Sequence, residues 1–180
     1  MTESNFGSLE SIDYLDLGAL KIPLIGQPEI RMNIDQATMQ IVGISIVINR
    51  SIAEVQVFAR AKDEPLWPQV RADLESALTE QAIDFEISVG VFGYEVSAVM
   101  PLQDIDGNNV LQSVRFIGID GERWFLRASI SGSAAVSEPD ISLMNRILGG
   151  VIVDRGSHPM APGELITCDL PEFGVESDLA

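Results

Sequence analysis

The sequence predicts an α+β fold, mainly antiparallel sheet with two amphipathic helices on one side. Three observations carry that expectation. Apolar side chains alternate with period two between residues 29 and 60; a change to spacings of three and four follows Pro65; and an Asp-Gly pair splits one long β-prone run between residues 110 and 131. With 180 residues and 46% hydrophobic content, the chain can bury the core of a single domain.

Glu29-Ile30-Arg31-Met32-Asn33-Ile34-Asp35 alternates polar with apolar and reads as a half-buried strand. Met39 to Ile48 is dense in isoleucine and valine and suits a central strand, and residues 52–60 alternate again with Val55 and Val57 on one face. Short connections make these three a meander. From Leu66 to Gln81, Leu66, Trp67, Val70, Leu74, Ala77 and Leu78 recur at helical spacing, and Pro68 fits a first turn whose N–H has no helical acceptor. Trp67 heads the apolar stripe and is expected in the core.

Asp84 to Val91 is extended with Phe85, Ile87 and Val89 on one face, and Tyr94 to Met100 resumes after Gly93. Residues 104–109 form a polar turn without the glutamate that ends a calcium loop. Asp120-Gly121 suits a two-residue hairpin turn, pairing Ile119 with Glu122. Ile117, Ile119, Trp124 and Leu126 then share the core face, with Phe116, Phe125, Arg123 and Arg127 on the other. A second helix starts at Ser137, the expected cap, with Asp140 in the capping-box position and Ile141, Met144, Ile147 and Leu148 as its buried stripe. Gly149-Gly150 ends it before a strand at Val151-Val153; residues 156–163 form a turn-rich arm, and a short extended piece spans Leu165 to Leu170. Three strands, a helix and a strand in residues 29–90 recur in residues 93–155, so two similar β-β-β-α-β halves sharing a core are one reading of the order.

The charge is −16, from 27 acidic and 11 basic side chains, which argues against broad nucleic-acid binding because a phosphate-binding surface needs clustered Lys and Arg. Nine acids fall in residues 1–16 and 156–180, leaving −7 for residues 17–155. Residues 1–16 are expected as a flexible acidic segment, 17–171 as one domain and 172–180 as a flexible acidic tail. There is no signal-peptide pattern, and the longest apolar stretch, Ile41 to Ile48, falls far short of the roughly 20 residues that cross a bilayer, so the expected setting is cytoplasmic without membrane insertion. Cys168, the single cysteine, fits a reducing compartment and a buried structural thiol.

Tyr14-Leu15-Asp16-Leu17-Gly18-Ala19-Leu20, the run Gly118 to Arg127 (Gly-Ile-Asp-Gly-Glu-Arg-Trp-Phe-Leu-Arg), and Arg155-Gly156 with Pro159-Met160-Ala161-Pro162-Gly163 resemble an uncharacterised actinobacterial family, a domain of unknown function, DUF3710. The likeness spans about residue 14 to residue 171. It implies an actinobacterial cytoplasmic protein and brings no activity, cofactor or catalytic residue. The family's usual motif has proline where Glu122 stands and an alanine-proline-arginine stretch where this chain has Ala59-Arg60-Ala61-Lys62.

Arg123 and Arg127, four apart on the expected strand, lie on one face roughly 13 Å apart, too far to clamp one phosphate together. Each could meet a separate anionic group through its donor fork, with Arg115 joining only if the sheet twists or its edge is exposed. In a chain this acidic, internal pairing with carboxylates is the simpler expectation for them. Phe125 and Trp124 beside the arginines, the Asp120-Gly121 turn, and Arg155, Gly156, Pro159 and Met160 of the arm complete the candidate ligand- or partner-binding residues. His158 is the only histidine, so one chain cannot build a multi-histidine metal centre, and no glycine spacing forms a phosphate loop. No catalytic residue, metal or cofactor is implied. The favoured class is a noncatalytic binding or scaffold domain contacting a protein partner or small anionic ligand through the Arg123/Arg127 face or the arm. A small-molecule enzyme or sensor with an arginine-containing pocket, and a self-association module, are the alternatives.

Overall fold

The computed structural model describes residues 11–170. In chain order the elements are β1 (Tyr14–Asp16), β2 (Leu20–Pro23), β3 (Glu29–Asp35), β4 (Gln40–Ile48), β5 (Ser51–Ala59), α1 (Trp67–Glu80), β6 (Phe85–Gly90), β7 (Gly93–Gln103), β8 (Asn109–Asp120), β9 (Trp124–Gly132), a 3-10 turn at Ser133–Ala135, α2 (Asp140–Gly149) and β10 (Ile152–Val153). A seven-stranded antiparallel sheet runs β3-β4-β5-β9-β8-β7-β6, and β1-β2-β10 form a second, small sheet. The α+β class and the dominance of antiparallel sheet are as the alternation implies. Of the predicted tails, residues 1–10 of the 1–16 segment and all of 172–180 lie outside the described residues.

The N-terminal end departs from the flexible segment expected over residues 1–16. Residues 14–16 belong to a strand, and β2 pairs with both β1 and β10. These strands are three and four residues long. Alternation over so few positions leaves no readable period, whereas Leu17, Leu20 and Ile22, all nearly inaccessible, show how firmly the segment is packed.

The main core lies on one face of the large sheet. Ile44, Ile46, Val55, Val57, Ile117, Leu126 and Ile130 point there and meet Leu20 and Ile22 of β2 and Met144, Ile147 and Leu148 of α2. Alternation in β5 explains the division: Ser51, Ala53, Val55, Val57 and Ala59 are buried while Ile52 and Glu54 are exposed. A smaller cluster lies on the opposite face, where Leu78 and Leu74 of α1 cover Val96 and Ala98 of β7 and Phe116 of β8. The two helices therefore cover opposite faces, a correction to their expected placement on one side. Helical periodicity reveals an apolar stripe but not which side of a sheet it will cover. The three-strand, helix, strand order does recur, but β6 pairs with β7 at the sheet's far edge whereas β10 joins the small sheet.

β4 and β5 splay beyond the Ile44–Val55 pair, and residues 164–168 run into the gap. There the Ala59 N–H donates to the Glu164 carbonyl (2.8 Å), Ile166 to Val57 (2.8 Å) and Cys168 to Ile41 (3.1 Å). The turn-rich arm is thereby tied to the end of β5 where the β8–β9 turn also lies. At α2 the expected Ser137 cap does not form; the Glu138 carboxylate instead accepts from the N–H (3.3 Å) and hydroxyl (2.7 Å) of Ser142.

Candidate functional site

The β8–β9 connection is wider than a two-residue turn. Asp120 pairs with Phe125 and Ile119 with Leu126, which leaves Gly121, Glu122, Arg123 and Trp124 between the two members of the last pair, with the Gly121 N–H donating to the Trp124 carbonyl at 2.9 Å. Relative to the expected pairing the shift is even, so Ile117, Ile119, Trp124 and Leu126 keep the core face. Arg123 moves off the strand into the turn at φ +62°. It therefore does not share a strand face with Arg127.

The distinctive residues of this hairpin are engaged one by one. Asp120 caps α1, accepting from the backbone N–H of Leu66 (2.8 Å) and Trp67 (3.1 Å), and its carboxylate lies 3.6 Å from Arg60. A side chain at Gly121 would collide with the Trp124 indole, and one at Gly118 with the Trp67 indole. The Trp67 indole N–H donates to the Tyr94 carbonyl at 2.7 Å. Phe125 is buried, stacked between Phe58 and Trp67 at ring separations of 6.3 and 6.2 Å. Trp124 packs on the main core. Phe125 and Trp124 are thus packing residues, a correction to their candidacy as partner contacts, and Asp120 and Gly121 build the turn.

Arg115 is also withdrawn from the candidate surface. It is 4% exposed, on the core face, donating to both Glu95 carboxylate oxygens (3.1 Å each), the Ala134 carbonyl (2.9 Å) and Asn145 Oδ1 (3.2 Å). Four hydrogen bonds engage its five N–H groups, all of them to neighbours within the fold.

What the fold does bring together is the turn and the arm. The Arg123 carbonyl accepts from the Arg60 N–H (3.0 Å) and from Arg155 Nη1 (3.1 Å), while Arg155 Nη2 reaches the His158 carbonyl (3.2 Å). Gly156 takes φ +71° with its N–H on the Asp154 carboxylate at 3.0 Å. Between turn and arm lies a notch of about 440 Å³ lined by Glu122, Arg123, Arg155, Gly156, His158 and Pro159, with Ser157. Met160 turns away from it and packs, half-buried, on the core. Among the described residues, neither Arg123 nor Arg155 pairs with a carboxylate. The acidic composition alone would have predicted otherwise.

Arg127 sits in a separate groove of about 650 Å³ where the sheet is open beside α1, facing Asn33, Glu54, Gln56, Val70, Asp73 and Leu74. Its guanidinium donates twice to Gln56 Oε1 (3.1 and 2.6 Å) and lies 5.2 Å from the Phe58 ring centroid, again without an ion-pair partner among the described residues. Sequence reasoning missed Gln56 and Phe58 as its organisers, and Arg60 as that of the Asp120–Arg123 turn, because contacts made across strands carry no local spacing signal.

The cysteine and histidine occupy different environments. Cys168 is buried beside Ile41, and burial, aided by the Asp169 charge, pushes its thiol up to about 11; His158 is exposed in the arm. A thiol so strongly protonated is a poor nucleophile near neutral pH. Among the described residues no group of three or more His, Cys, Asp and Glu side chains is arranged to hold a metal ion, and no helix is long and apolar enough to cross a membrane.

Residues 3–176 match the family model described as Protein of unknown function (DUF3710). The chain belongs to this family. No curated protein and no solved structure matches the chain. Two of the segments that carry the DUF3710 resemblance, Gly118–Arg127 and Arg155–Gly163, meet in space through the Arg155-to-Arg123 hydrogen bond.

Proposed function

We propose that this DUF3710 chain is a noncatalytic, cytoplasmic binding domain whose turn-and-arm notch receives a carboxylate-bearing segment of a protein partner. One observation carries the reading: Arg123 and Arg155 lie side by side at the notch without carboxylate partners among the described residues, in a chain with 27 acids and 11 bases. The rest of the surface repels an acidic partner, so a local cationic site sets where and in what orientation such a partner docks. Arg155 is already held by two carbonyls and acts as a fixed wall, whereas the Arg123 side chain is exposed and free to reach out. Charge-assisted bonds from guanidinium to carboxylate supply the contact.

A second reading has its own support. Arg127, braced by Gln56 and Phe58 inside the α1 groove, suits a small molecule bearing one carboxylate. Titrating the labelled chain with a hexaglutamate peptide separates the two. Amide shifts centred on Arg123, Gly156 and His158, with affinity falling roughly tenfold in Arg123→Ala and unchanged in Arg127→Ala, support the notch. Shifts confined to Gln56 and Ser129 would transfer the proposal to the groove. No shift at either place removes both.

A further inference from the structure

The seven-stranded sheet ends in two unlike edges. β3 presents Glu29, Arg31, Asn33 and Asp35, and its pairing with β4 is interrupted by a bulge, Val42 of β4 being the extra residue opposite the Asn33–Ile34 step, devices that discourage strand addition. β6 has neither. Its sequence, Phe-Glu-Ile-Ser-Val-Gly, contains one charge, no proline and no bulge, and Ile87 is 41% and Val89 74% exposed.

Hydrogen bonding on that edge follows from the register. The Val99 N–H donates to the Asp84 carbonyl at 3.2 Å, and these residues continue the β6–β7 pairing of Phe85 with Ala98 and Glu86 with Ser97. In an antiparallel ladder, residues that exchange bonds alternate with those that do not. Glu86, Ser88 and Gly90 therefore bond inward to β7, and Phe85, Ile87 and Val89 turn their N–H and C=O groups outward. The side chains of these same three residues share the α1 face, where Phe85 already packs under Leu74 and Leu78.

We infer that β6 pairs antiparallel with β6 of a second copy, joining the two large sheets into one continuous sheet. The edge is self-complementary about one residue. With Ile87 opposite Ile87 of the second copy, Phe85 falls opposite Val89 in both directions, so every outward-facing backbone group of the strand finds a partner and the apolar side chains form one strip. Glu86 then faces Ser88 rather than its own copy, and the two Glu86 side chains stand roughly 8 Å apart on the diagonal, about one Debye length at physiological salt. The chain's −16 charge opposes this association at long range, so added salt strengthens it.

The test is sedimentation of the full chain over a concentration series. An interface of one strand pair is small, so the expected dimer dissociates near 10⁻⁴ M, on the order of weak transient contacts, and tightens as NaCl is raised from about 0.05 to about 0.5 M. Val89→Lys, at an exposed position, and Ile87→Pro, which removes an N–H not used by β7, each weaken it at least about tenfold while circular dichroism stays unchanged. Ile87→Cys cross-links under mild oxidation and Glu86→Cys does not, since residues directly opposite lie within disulfide reach at about 5.5 Å between Cα atoms and diagonal ones do not. A strict monomer at about 1 mM in both salts overturns the inference, as does a dimer indifferent to Val89→Lys and Ile87→Pro.

Discussion

Cys168 shows a side chain whose chemistry is set by backbone placement. Residues 164–168 run beside the ends of β4 and β5, and burial there raises the thiol from an ordinary value near 9 to about 11. The folded state thus holds the proton more tightly than the unfolded state. The stabilisation is complete below pH 9, where both states keep the proton, and is lost as pH rises through 11, by at most roughly 2–3 kcal/mol. Urea titrations at about pH 8 and about pH 10.5 should show wild type losing more stability than Cys168→Ala over that interval; parallel losses would refute the linkage. A buried thiol was legible from the alternation of Ile166 and Cys168, and the arginines from composition. Their partners were not: Arg127 rests on Gln56, 71 residues away in sequence, and Arg115 on Glu95 and Asn145. Such pairings depend on strand register and helix placement, which no local window contains.

At the scale of elements, the residues that made the Gly118–Arg127 hairpin distinctive proved to join pieces of the fold. Gly118 and Gly121 lie under tryptophans, Asp120 caps α1, and the Arg123 carbonyl anchors Arg60 and Arg155. The turn was predicted too tight because Asp-Gly favours a two-residue hairpin in isolation, whereas here the Asp120 carboxylate is committed to α1 and the indole of Trp124 closes over Gly121. Arg115 has the same joining role on the other face, linking β8 to β7, the 3-10 turn and α2. Arg115→Ala leaves Glu95 half-buried and unpaired and should cost about 3–5 kcal/mol in urea denaturation. Adding Glu95→Ala should recover part of that loss, and strictly additive single effects would show that the pair is not coupled.

For the whole molecule, net charge is the property most directly set by composition. At −16 the compact chain repels itself, so raising NaCl from about 0.05 to about 0.5 M should increase Tm by about 2–5 °C in a thermal scan. A flat response would mean that local contacts already neutralise the acids. The strands from β3 to β9, both helices and the apolar faces of β5, β8 and β9 were determined by the sequence itself, because period and turn chemistry act over a few residues. Tertiary structure alone decided that the helices cover opposite faces, that Tyr14–Asp16 and Leu20–Pro23 become strands, that Arg123 joins the arm while Arg127 enters the groove, and that β6 is left as an open edge. Each of these depends on contacts between segments far apart in the chain, where packing and hydrogen-bond satisfaction choose among arrangements that local periodicity leaves equal.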